Sequence, residues 1–411
     1  MSSYCEFFLI TRSRIPLQYG GTTAININLK SNIPDRFTNP AKIFLIGDVI
    51  DSFADSITNV VTQFWLMSLG FNGIDISSMI IMNTVGTFLS TLPAGILADR
   101  YGKRKIILLG FLLFSVGQIT ILASTSFEML SLAWFINGIG NGCKSVLFPL
   151  YSSFFNSKDM DRAFGLQGFL TIMASSLGSL MGFIPPLLVD RYSFSPQSSY
   201  YTMRAVGTAF FFISIPFYIK VIRDLTEPEI REGTRARLNL RSRSVVAKFS
   251  FLYMVGNIGY GAFFSLFPYY VNKKFGVQSD ALGLLYFSSN FVRAVANIIG
   301  PRISKRIGTV RTIALSYVLC TPFWAMLPLA PDFAGISAIY LIRSFIGNLS
   351  SPLIGSLFMK LLYNDEKATA NSIISIASNG GNIVAPRLGD TSWNMSLSIS
   401  QPTWALESTQ V

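Results

Sequence analysis

Half of the 411 residues are hydrophobic and 13% are charged, which leaves too little polar surface to cover a water-soluble globule and points to a lipid bilayer as the solvent for most of the chain. The formal net charge of +12 does not argue for nucleic acid as a partner, because Lys and Arg fall in short clusters between apolar runs and form no single solvated face. Histidine is absent and Cys5, Cys143 and Cys320 are far apart in the chain, so histidine chemistry is excluded and neither a disulfide framework nor a zinc site is arguable.

A bilayer core about 30 Å thick takes roughly 20 apolar residues per helix, and runs of that length set the expected elements. The first 42 residues are mixed and polar and read as a cytoplasmic extension; the short apolar patch at 5–10 lacks the basic residues that open a signal peptide. Apolar runs at 43–69, 76–98, 106–124, 129–155, 164–189 and 205–222 form a first bundle, residues 43–222. The stretch 223–244, with Glu227, Glu229, Arg231, Arg235, Arg237, Arg241 and Arg243, cannot be buried and reads as a cytoplasmic connector. Runs at 245–271, 281–303, 312–330, 333–362 and 368–386 form a second bundle, residues 245–389, and 390–411 reads as a polar tail.

Ionisable residues inside such runs are costly, about 2.5–3.5 kcal/mol each at the bilayer centre on insertion scales, so they point to a site. The first run carries Asp48, Asp51 and Asp55, which at about 100° per residue share one face of a helix. Asp55 lies about 18 Å in from residue 43, near mid-membrane. Lys144 sits in the fourth run and can pair with Asp48. Arg293 in the eighth and Arg343 in the tenth each lie about 15 Å from the outer end. The third, sixth and ninth runs, at 106–124, 205–222 and 312–330, contain no mid-span charge.

Basic residues concentrate in alternate loops, at Arg100–Lys105, at Lys158 and Arg162, in the connector and at Arg302–Arg311. That asymmetry places those loops and the N-terminus in the cytoplasm. The two bundles also repeat: Tyr101-Gly102 falls on Ile307-Gly308, Trp134–Gly138 on Arg343–Gly347, and Arg162-Ala163 on Lys367-Ala368, at nearly constant offset.

Between the second and third runs stand Gly95, Asp99, Arg100, Gly102, Lys103, Arg104 and Lys105. This segment resembles the loop signature of the major facilitator superfamily, and the likeness covers about residues 43 to 386. The resemblance implies the major facilitator fold, an all-α membrane protein of two six-helix pseudo-repeats, here with about 11 transmembrane helices. It further implies that helices one, four, seven and ten line a central cavity, and that the motif, with Asp159 or Asp161 after the fourth helix, closes the cytoplasmic side. Gly95 would let a neighbouring helix approach closely. A blander reading makes the motif a cluster that only sets topology. The arginine of drug-exporting members is replaced by Trp134, and their glycine series ending in Gly-Pro is only echoed by Gly178, Gly182 and Pro185-Pro186. The family supplies a twelfth helix after Pro386, whereas 387–411 holds Asp390, Asn394 and Glu407, so a normal twelfth helix is expected to be lacking.

The resulting expectation is a monomeric, multi-pass permease of the cell membrane, a secondary transporter that moves a small solute by alternating access, coupled to protons. Asp51 and Asp55 are the proton-binding candidates, since a carboxylate stripped of water by a closing cavity can exchange a proton as access alternates. Arg293 and Arg343 oppose them, holding an anionic substrate group or clamping an aspartate. In the competing reading these groups are buried ion pairs joining the halves. The same residues are also compatible with a transporter-like sensor or scaffold, and with a truncated inactive copy. No catalytic residue, cofactor or metal is implied: no nucleophile with a base, metal cluster or phosphate-binding glycine loop is present in the sequence, which argues against an enzyme.

Overall fold

The computed structural model describes residues 38–152, 154–155, 157–223, 241–362, 370, 373–383 and 385–388. The N-terminal extension, most of the connector and the polar tail lie outside the described residues. What is described is helical throughout, with short connections and no strand.

In the first bundle the helices are α1 (Asn39–Ser68), α2 (Gly73–Tyr101), α3 (Lys103–Ala123), α4 (Phe127–Lys144), α5 (Leu147–Ser152), α6 (Ser157–Leu180), α7 (Ile184–Tyr192) and α8 (Pro196–Arg223). In the second they are α9 (Arg243–Phe264), α10 (Phe267–Phe275), α11 (Ser279–Ile307), α12 (Thr309–Met326), α13 (Phe333–Asn348) and α14 (Ser351–Leu361), followed by helical residues at 373–383 and 385–388. Among the described residues eight helices are long and apolar enough to cross a membrane. The faces they turn outward are apolar, as with Leu109, Leu112, Val116 and Ile119 on α3 and Leu315, Val318 and Leu319 on α12, a surface suited to lipid and not to water. The chain is thus a multi-pass membrane protein.

Four expected single helices are interrupted: α4 gives way to α5, α6 to α7, α9 to α10, and α13 to α14. Each following segment holds a proline near its start, Pro149, Pro185, Pro268 and Pro352. A proline lacks the N–H of one helical bond and crowds the carbonyl four residues back, which breaks the ladder there. The sixth expected run also begins earlier than its hydropathy suggested, at Pro196 after Ser195, whose hydroxyl accepts from the Ser198 N–H at 3.2 Å.

The internal repeat is carried in the backbone. Gly102 ends α2 with φ 93° and ψ 140°, and Gly308 ends α11 with φ 91° and ψ 147°. A side chain is disfavoured at such φ values, so both copies of this turn demand glycine.

The hydrophobic cores show how the bundles meet. One core joins both, with Ile57, Phe64 and Trp65 of α1 against Phe267, Tyr270 and Leu282. A second lies wholly in the first bundle, around Phe44, Phe111, Tyr151 and Tyr218. A third lies wholly in the second, around Val246, Phe249, Ile313 and Phe358. The bundles therefore pack together at the end where α1 finishes and hold separate cores at the end where it begins.

Small residues tighten the joined end. A Cβ at Gly182 would overlap the Ser279 carbonyl and one at Gly283 would overlap the Ser179 carbonyl, while Ser279 donates its hydroxyl hydrogen to the Gly182 carbonyl at 2.6 Å. Gln63 of α1 reaches into the break between α9 and α10. Its Nε2 donates to the Ser265 carbonyl at 2.6 Å and its Oε1 accepts from the Tyr269 N–H at 3.2 Å.

Candidate functional site

Between the bundles lies a cavity of about 870 Å³. On its first-bundle side α1 presents Asp51 and Asp55, one helical turn apart. Asp51 accepts from the Lys144 ammonium at 3.3 Å, and that ammonium stands over three rings of the same bundle, 4.3 Å from the centre of Phe114, 4.8 Å from Phe211 and 5.7 Å from Phe111. Asp55 accepts from Asn59 Nδ2 at 2.9 Å. The two carboxylates thus differ: Asp51 is neutralised by a cation caged in aromatics, whereas Asp55 has an amide for a partner.

On the second-bundle side Arg343 of α13 is caged by rings. Its guanidinium carbon lies 4.2 Å from the Trp324 ring centre, 4.7 Å from Phe264 and 5.7 Å from Tyr260, and its Nε has no hydrogen-bond partner. Arg293 of α11 donates to Asn290 Oδ1 at 3.3 Å. Neither arginine is paired with an aspartate among the described residues, so the ion pair expected to join the halves is not formed. Cations held against aromatic faces gain about 0.5–2 kcal/mol each, which lets the guanidinium stay charged while its fork remains open to a ligand.

The structure brings Asp51, Asp55, Lys144, Arg293 and Arg343 to one cavity and leaves Asp48 out of its lining. Asp48 instead accepts from Gln167 Nε2 at 2.8 Å and from the Tyr218 hydroxyl at 3.4 Å, tying α1 to α6 and α8. The expected pairing of Lys144 with Asp48 is replaced by its pairing with Asp51, while the Asp48 carboxylate takes its hydrogen bonds from Gln167 and Tyr218.

Of the loop signature, Gly102 forms the turn between α2 and α3, and Lys103, Arg104 and Lys105 open α3. Gly95 faces open space, with nothing within 4 Å of a Cβ placed there, so the close helix approach expected at it is absent at this separated end. The close approach on α2 occurs deeper, where a Cβ at Gly138 of α4 would overlap the Asn83 carbonyl. The side chains of Asp99, Arg100, Asp159 and Asp161 lie outside what is described.

Sequence reasoning missed Arg204. It lies inside α8, lines the cavity and is 3% exposed, so the sixth span does carry a charge. The signal was Ser195-Pro196, a helix start that puts Arg204 about two turns in. Trp134, standing where the related arginine was sought, lines the cavity as well.

A sequence profile of the family described as Major Facilitator Superfamily matches residues 44–386. "Multidrug resistance protein 1" of Bacillus subtilis (strain 168) is 22% identical over 335 residues, covering 80% of this chain and 83% of that protein. Among solved structures, a bacterial homologue of the iron transporter ferroportin in an inward-facing state superposes with a TM-score of 0.69 at 13% identity, covering 89% of this chain and 96% of that one. The nucleoside transporter NupG superposes with a TM-score of 0.61 at 14% identity, covering 89% and 93%.

Proposed function

The chain belongs to the major facilitator superfamily of membrane transporters, and on that premise we propose that it is a secondary carrier in which a small solute crosses by alternating access through the charged cavity, coupled to protons through Asp55. The observation that supports this most is the arrangement of the cores: one shared at one end, two separate at the other, with the charged cavity between. A pathway sealed at one end and open at the other is what a rocking pair of bundles has in one of its two states.

In this reading the bundles, 43–222 and 245–389, are the moving units, the basic loops and the N-terminus face the cytoplasm of a cell membrane, and one chain suffices. Asp55 takes the proton, since Asp51 is engaged by Lys144 while Asp55 has only a neutral amide for a partner. A carboxylate of that kind can be protonated while dry and release its proton when the cavity refills with water. Arg293 and Arg343 on the other wall orient the solute.

The test is flux in liposomes holding a pH-sensitive dye, with a panel of organic acids, sugars and lipophilic cations supplied under an imposed proton gradient. Solute-dependent proton movement is expected from the native chain, and its loss with retained solute exchange is expected from Asp55→Asn. Unchanged proton movement in that variant sinks the assignment of Asp55.

A further inference from the structure

The second-bundle arginines do not exhaust the cavity's cations. Arg204 donates to Thr62 Oγ1 of α1 and, at 3.3 Å, to Gln118 Oε1 of α3, and its guanidinium carbon lies 5.5 Å from the Trp65 ring centre. Its Nε, buried, has no acceptor. Nor has it a counter-charge: Asp51 is bonded to Lys144, Asp55 to Asn59, and no carboxylate is paired with Arg204 among the described residues.

Holding a guanidinium away from water without a negative partner is unfavourable, so such a group is either compensated by a ligand or carried at a loss. One neighbour in the cavity lining favours the ligand. Thr208, one turn along α8, carries a buried hydroxyl oxygen, Oγ1, that also lacks a partner. Like the Arg204 Nε, it bears a hydrogen that can be donated. This stretch of wall thus holds two unused donors, one of them cationic, and its missing component is an anionic acceptor.

We propose that Arg204, with Thr208, forms an anion-binding position in the first-bundle wall of the cavity, taking either the carboxylate of a transported organic acid or a free halide ion. The position lies apart from Arg293 and Arg343, which belong to the opposite wall. It rests on the reading of the cavity as the solute's route and narrows the solute class to organic anions, or to solutes that travel with a small anion.

The test is binding, which needs no transport. The full chain is purified in detergent in a low-salt, halide-free buffer, and thermal unfolding is followed as sodium bromide or sodium benzoate is added. A saturable rise in midpoint is expected, with bromide if the site takes a free ion and with benzoate if it takes an organic carboxylate. The rise is lost in Arg204→Met and kept in Arg343→Met. Iodide supplies a readout in the otherwise native chain. Trp65 is 1% exposed, so only iodide held beside Arg204 reaches it, and a saturable quench that disappears in Trp65→Phe is expected.

The proposal is overturned if neither anion gives a saturable response, or if the response survives Arg204→Met. If Arg204→Met does not fold, the iodide measurement with Trp65→Phe decides. An intact anion response beside a silent flux assay would overturn the transport reading and leave this site standing; flux without any anion response would do the reverse.

Discussion

The Lys144 ammonium and the Asp51 carboxylate, 3.3 Å apart, join α4 to α1 inside one bundle, and neither reaches across to the other. The pair therefore stabilises a rigid unit. Lys144→Met leaves Asp51, 24% exposed, without its cation and is expected to cost about 1–2 kcal/mol, between the values for exposed and fully buried pairs. Adding Asp51→Asn to it should recover most of that loss. Unfolding midpoints of the single and double variants measure this; additive losses would show that the pair is not coupled.

The rings around Arg343 hold its guanidinium in place. Trp324→Ala removes the nearest of them, and loss of about 0.5–2 kcal/mol of cation–π attraction predicts a rise in KM of about 2- to 30-fold with kcat little changed. Initial rates of solute uptake over a concentration series check this. A fall in kcat alone would place Trp324 in the conformational change instead.

The seam at Gly182 and Gly283 admits no side chain while the bundles are together. Gly283→Leu is expected to disfavour the joined end by about 1–3 kcal/mol of overpacking, a shift in the equilibrium of about 5- to 150-fold. Leu285, 4% exposed in the shared core, reports it: Leu285→Cys, with Cys5, Cys143 and Cys320 replaced by serine, should resist an impermeant maleimide. Adding Gly283→Leu should make it react.

The two repeat-related turns offer a check on the symmetry itself. Gly102→Ala and Gly308→Ala each force a side chain to φ near 90°, at about 1–2 kcal/mol. The turns belong to different bundles and, among the described residues, share no hydrogen-bond partner, so the double variant should lose the sum of the two. Calorimetric midpoints decide, and a cost at only one turn would show that the other relaxes.

Much of this was legible from spacing. Three aspartates at helical intervals announced the face of α1, and the constant offset between halves predicted the matching turns at Gly102 and Gly308. Which aspartate takes Lys144 was not legible, because it depends on Gln167 and Tyr218 arriving from distant helices to occupy Asp48. Arg204 was lost because an apolar window begins where charge ends, while a helix begins at its cap. The helix breaks leave no mark in hydropathy, yet Pro149, Pro185, Pro268 and Pro352 stood in the sequence where each broken ladder resumes.

The contact of Gln63 with the α9–α10 break carries a consequence for how that end parts. Ser265 and Tyr269 are four residues apart, the interval at which a helix bonds its own carbonyl to its own N–H. The Gln63 amide stands between them as a borrowed peptide group, accepting from one and donating to the other. If the proposed rocking draws α1 away, the carbonyl and the N–H would have each other, Pro268 would keep the bend, and neither of these two backbone groups would be stranded without a partner. Parting this end in that way would replace the two Gln63 bonds by one bond within the second bundle and release the Ser279 hydroxyl from the Gly182 carbonyl, so the broken backbone itself would add little to the cost of separating the apolar surfaces.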